Sequence, residues 1–223
     1  MKHLPRLDAD DQGNAHLQSL VRRMHPDDVS TFVEKLTTQP LRARFHTYRE
    51  LLVGAHVRER GADFRYERMI KGQTPDWSLL DDSQRLQEVI DVMTLHQRNE
   101  KEREITACIR SNGRWSGWIT IPPDHIYRKL SDKAGQYTKL ARQAQAPYVL
   151  AIYGEFIASV SPEEIEYVLY AHHKGWFNTA PEVSGVIFCR ERSFQFEFSY
   201  FTNPNALHQS AVLRRQAGRR GEA

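Results

Sequence analysis

Long apolar runs, a secretion signal and clustered cysteines are all missing from this sequence. No apolar stretch approaches the roughly 18 residues needed to span a bilayer, so a membrane-spanning helix is not expected. Residues 1–18 carry no apolar core, so they do not read as a signal peptide. The only cysteines, Cys108 and Cys189, have no metal-type spacing. Without a secretion signal both are expected to be reduced and buried in strands, and the cytoplasm is the default compartment. Internal repeats and low-complexity segments are absent too. So are a His-Glu-x-x-His helix, a Walker loop, a dinucleotide fingerprint and a nucleophile elbow, the signatures of four common enzyme chemistries.

What is present is an ordinary globular composition. The 223 residues are 40% hydrophobic and 26% charged, which suits one domain with an N-terminal appendage. The net charge of +3 is mildly basic and does not identify a partner. The end from Leu213 holds Arg214, Arg215, Arg219 and Arg220 against one acid, Glu222. It reads either as a phosphate-touching tail or as a solvated, frayed end.

Along the chain, residues 1–14 look polar and loosely tied, and 15–24 suit a short helix. Pro26, Asp27 and Asp28 open a clearer one. Pro40 starts the strongest helix, to about Arg60, with Leu41, Phe45, Tyr48, Leu52, Ala55 and Val57 as its apolar face and Gly61 at its end. Glu50 lies beside that face, either as a boundary residue or as a functional carboxylate. Residues 63–70 alternate as a strand. Strands are also expected over 105–110 and 115–121, around a Ser111-Asn112-Gly113 turn. Trp115 and Trp118 stand in the latter; they suit packing, with base stacking as the alternative. A helix follows from Asp124 to about Ala144, apolar at Ile126, Leu130, Ala134, Tyr137 and Leu140 and basic at Lys129, Lys133, Lys139 and Arg142. Residues 147–153 form a buried central strand. Ser161 and Pro162 start a helix through Tyr170. His172 and His173 follow it, explained by a helix C-terminus or by a metal. Residues 185–189 and 194–201 close a hairpin whose turn is Arg190 to Arg192.

The stretch from Gly72 to Met93 organises the rest. Pro75 suits a strand start, and an Asp- and Ser-rich turn at 81–84 joins two short strands into a hairpin. The hairpin brings Asp76 beside an acid of the second strand. Two carboxylates held together repel unless a proton or cation lies between them. Hard oxygen ligands suit Mg²⁺ or Mn²⁺. Solvated turn and edge-strand acids are the alternative reading.

This order resembles the core of the PD-(D/E)xK nuclease superfamily, the restriction-endonuclease-like fold, in a divergent bacterial branch of unknown role. Asp76 matches the Pro-Asp aspartate, and Asp91 matches the acid of the following acid-x-Lys triplet. Glu50 matches the glutamate of the first core helix. The segment from Ile90 to His96 is similar to an acid-Val-Thr-Ser-Leu-His pattern, and Asn203-Pro204-Asn205-Ala206 to an Asn-Pro-Asn-Ala close. The likeness runs from about Arg44 to Leu207. Two departures stand out. Met93 occupies the triplet's lysine position, and Glu88-Val89-Ile90 is a rival register for the acid. Glu88 and Asp91 point to opposite faces of a strand, so only one of them serves.

The resemblance implies an α/β (α+β) domain: a mixed central sheet of five or six strands flanked by helices. Residues 1–40 form a helical extension, 41–210 the core and 211–223 a basic tail. It further implies metal-dependent phosphodiester hydrolysis, with Mg²⁺ or Mn²⁺ on Asp76 and Asp91, completed by Glu50. The missing lysine would be replaced from the 124–144 helix, by Lys133 first and Lys139 second. Expected partners are nucleic acid, DNA before RNA, and a second copy in a homodimer, with no membrane. The alternative is a nuclease-fold binding module without chemistry.

Overall fold

The computed structural model describes residues 11–95, 107–108, 111, 120–154, 160–192 and 195–217. Three helices come first: α1 (Asp11–Arg22), α2 (Pro26–Thr38) and α3 (Leu41–Arg58). Leu17, Leu20, Phe32 and Leu36 bury the first two against α3 and the sheet in one apolar cluster. The helices of residues 11–38 therefore share the core. The start of α1 at Asp11 corrects the loose reading of 1–14 over its last residues. On α3 the buried face is Leu51, Leu52, Val53, Ala55 and Val57. Leu41 and Phe45, expected on that face, are 58% and 50% exposed.

The strands are β1 (Arg65–Tyr66), β2 (Trp77–Leu80), β3 (Leu86–Leu95), β4 (Tyr148–Gly154), β5 (Val183–Arg192) and β6 (Gln195–Thr202). They form one six-stranded sheet in chain order. β3, β4 and β5 are parallel, and the outer pairings are antiparallel. The parallel connections carry α4 (Pro123–Ala134), α5 (Thr138–Ala144) and α6 (Pro162–Tyr170); α7 (Ala211–Ala217) comes last. The domain is thus mixed α/β, with helices on both faces of a mixed sheet. Val89, Met93, Leu95, Leu150, Ile152 and Phe188 face α4 to α6. Ile90, Val92, Val149, Ala151 and Ile187 face α1 to α3.

Several sequence expectations need correction. The strand over 63–70 shrinks to two residues, because Glu67 and Lys71 take positive φ of 45° and 50°, which ends regular extension. The helix over 124–144 breaks between α4 and α5. Gly135 is a poor helix former, and Tyr137 turns out to donate its hydroxyl to the Thr74 carbonyl at 2.8 Å. In the expected strand over 105–110, Ala107 and Cys108 are helical, and the Ser111 hydroxyl donates to both their carbonyls. Cys108 is half-buried and outside any strand, whereas Cys189 is buried in β5. The rest of that stretch, with Asn112, Gly113, Trp115 and Trp118, lies outside the described residues. Arg190 to Arg192 belong to β5 instead of a turn. The basic end is not simply frayed, since Val212 and Leu213 are buried in α7.

Gly54 sets how closely α3 approaches β2. A Cβ added there would lie 1.9 Å from Trp77 Cζ2. Trp77 in turn donates its indole N–H to the Glu50 carbonyl at 3.0 Å. Gly54→Ala is expected to destabilise the domain by at least ~1–3 kcal/mol, the usual cost of overpacking. A urea unfolding midpoint equal to wild type would show that α3 can slide outward without penalty.

Candidate acidic site at the edge of β3

Local sequence explains why acids gather here. β2 stops early: Trp77 pairs with Ile90, the last matched residue in that direction. Continuing the register sets Asp76 beside Asp91. The Asp76 carboxylate fills part of the gap, accepting the Val92 N–H at 2.6 Å. It substitutes there for the missing strand partner of the Val92 N–H.

Asp91 is fully buried on the face toward α4. Its Oδ2 receives Lys133 Nζ at 2.9 Å and the Tyr148 hydroxyl at 3.3 Å. Its Oδ1 is buried without a hydrogen-bond partner. Burial, and then the Asp76 charge, push the Asp91 carboxyl up to about 8 against the pull of Lys133. The Glu88 side chain lies on the other face. It accepts from the Ser210 hydroxyl and from backbone N–H groups at the start of α7. The structure therefore sets Asp91, and not Glu88, beside Asp76.

Glu50 approaches from α3 and is only 4% exposed. The Tyr66 hydroxyl donates to its Oε2, and His46 Nε2 lies 3.1 Å from its Oε1. Lys35 Nζ donates to the same Tyr66 hydroxyl at 3.0 Å. Burial first, and then the Asp76 charge, raise the Glu50 carboxyl to about 8. Asp76 thus couples electrostatically to both buried acids. The charges of Asp91, Asp76, Glu67 and Glu50 also reach Tyr137, helping burial to hold its hydroxyl protonated.

The three acids are not equivalent as ligands. Their oxygens do not all lie within 4.8 Å of one another. Ligands of one Mg²⁺ lie within about 4.2 Å, twice its bond length. Glu50 has both oxygens engaged and acts on the pair through charge. Asp76 and Asp91 offer hard oxygens, mutual repulsion and an unpartnered buried Oδ1, and that donor set fits a hard divalent cation.

Of the two lysines expected here, Lys133 reaches the acids. Lys139 lines a separate depression of about 320 Å³ with Thr138, Arg142, Gln143 and Glu182. Met93 shares the Asp91 face and packs into the core. Sequence reasoning missed Tyr148, Tyr66, His46 and Lys35. Two of them left a signal: Tyr148, as a hydroxyl at the start of an apolar strand, where a buried O–H usually finds a partner, and His46, one helical turn before Glu50.

No family model matches this chain, and no curated protein or solved structure matches it.

Proposed function

We propose that the chain hydrolyses phosphodiester bonds of nucleic acid, DNA in the first place, at Asp76, Asp91 and Lys133. The observation that carries this reading is the 2.9 Å contact between Lys133 and Asp91. It delivers a cation from α4 to the face where Met93 stands in the lysine position of the resembled motif. Asp76 and Asp91 would hold Mg²⁺ or Mn²⁺. When bound, the ion would supply positive charge at the scissile phosphate and lower the pKa of the attacking water. Lys133 adds a fixed charge where negative charge develops. Tyr148 orients Asp91 through the same oxygen, Oδ2, that Lys133 meets. Glu50, held in place by Tyr66 and His46, would strengthen cation binding by giving up the proton that burial otherwise favours.

The same ion pair favours a second reading. Lys133 already compensates Asp91 in part, so a binding module of this fold needs no metal at the site. Calorimetric titration with Mn²⁺ separates the two. The nuclease reading expects saturable binding, weakened by Asp76→Ala, together with Mn²⁺-dependent cleavage of plasmid or single-stranded DNA. Absence of both binding and cleavage would replace it with the binding module.

A further inference from the structure

We propose that Asp124, His172 and His173 form a site for a divalent transition metal of the Zn²⁺ class, on the α4 side of the sheet and separate from the acidic pair. It is independent of the nuclease reading. Asp124 lies in the first turn of α4. His172 and His173 lie in the short 3-10 turn after α6. Both imidazole Nε2 atoms come to 2.8 Å from the same oxygen, Asp124 Oδ1. Among the described residues this is the group of three His, Cys, Asp or Glu side chains whose ligand atoms all lie within 4.8 Å of one another.

The geometry is close to what a metal requires. Tetrahedral ligands at zinc distances of 2.0–2.1 Å stand about 3.3 Å apart. Each present N···O contact therefore has to open by about half an ångström, within reach of side-chain torsions at Asp124 and His173, which are exposed while His172 is half-buried. Imidazole with one carboxylate suits Zn²⁺ and its neighbours rather than Mg²⁺. Three protein ligands leave a fourth position open to water.

Two adjacent residues rarely aim their rings at one point. Here His173 takes φ 49° and ψ 41°, which turns its ring to the same side as that of His172; the ring centroids are 4.1 Å apart. Tyr127 walls the pair edge-on, at 6.2 and 5.6 Å from the two imidazoles, and Tyr167 flanks His172 at 5.6 Å. Two imidazolium cations at this spacing would repel each other. One dication bridging two neutral rings and a carboxylate removes that repulsion and ties α4 to the end of α6.

The test uses the full chain without a histidine tag. Zn²⁺ is titrated directly, and Co²⁺ is used as a spectroscopic probe. Expected results are one Zn²⁺ per chain at this site and visible Co²⁺ absorption typical of four or five ligands. His173→Ala and Asp124→Asn should each weaken Zn²⁺ binding by well over the roughly 10–100-fold typical of losing an outer-shell partner, and the absorption should disappear. Circular dichroism confirms that these exposed-site variants fold. An Asp76→Asn, Asp91→Asn double variant should keep the signal, which separates this site from the acidic pair. A wild-type Co²⁺ spectrum lacking imidazole-type bands, or Zn²⁺ affinity unchanged in His173→Ala, would overturn the proposal.

Discussion

Asp91→Asn is expected to abolish Mg²⁺- or Mn²⁺-dependent cleavage and, in metal-free buffer, to remove a loss of stability that builds as pH rises from about 4 to about 8. The first effect follows from deleting the oxygen charge that faces the proposed cation. The second follows from linkage. Burial and Asp76 raise the folded-state value of Asp91 to about 8, above the roughly 4 of an unfolded carboxyl. The folded chain then binds the proton more tightly than the unfolded one. Its contribution to stability is present below about pH 4 and is lost as pH rises toward 8. Glu50, also raised to about 8, adds to the same trend. The melting temperature of the metal-free wild type should fall across that window, and the fall should be shallower in Asp91→Asn. Asp76→Asn should behave alike, since an amide oxygen can still accept the Val92 N–H. Melting temperatures lowered equally at every pH would assign both acids to hairpin architecture instead.

Lys133→Met should reduce turnover by roughly 10²–10³, the usual loss for one preorganised electrostatic donor. Methionine keeps most of the stem and removes only the charge. The loss should fall on kcat more than on KM, because the contact lies at the acidic pair and not on a broad nucleic-acid surface. Removing this cation leaves Asp91 buried beside Asp76, so metal-free stability should fall most at alkaline pH, where the carboxyls give up their protons. Met93→Lys in that background should recover part of the activity, since Met93 lies two residues along the same strand face. Lys139→Met serves as the control and should leave activity near wild type. Equal losses in Lys133→Met and Lys139→Met would mean that α4 and α5 act only as a basic surface.

What the sequence disclosed was what local rules carry. Alternation along β3 separates Glu88 from Asp91, and the Pro-Asp turn places Asp76 at the hairpin. Helix periodicity identified a lysine-bearing helix over 124–144, and its place beside the pair came only with the Lys133–Asp91 contact. Lys133 already ranked ahead of Lys139 in the sequence, but setting Lys139 apart from the acids needed the break at Gly135 between α4 and α5. Of the partners of Glu50, only His46, four residues earlier on the same helix, was legible. Tyr66 and Lys35 come from separate elements, β1 and α2, and Lys35 reaches Glu50 only through the Tyr66 hydroxyl. Glu88 hid its role for the same reason: its partner, Ser210, lies at the far end of the chain. Strand length failed at β1 because left-handed residues such as Glu67 leave no periodicity to read.

The two-faced character of β3 bears on how the chain is made. One face buries Asp91 against α4; the other buries Glu88 against Ser210 and the start of α7. During synthesis β3 emerges long before either covering segment. Until residues near 210 leave the ribosome, Glu88 has no hydroxyl or amide to receive and must stay in water or protonated. A chain ending before residue 210 would leave the buried Glu88 carboxyl without the Ser210 hydroxyl and the α7 amides that now receive it.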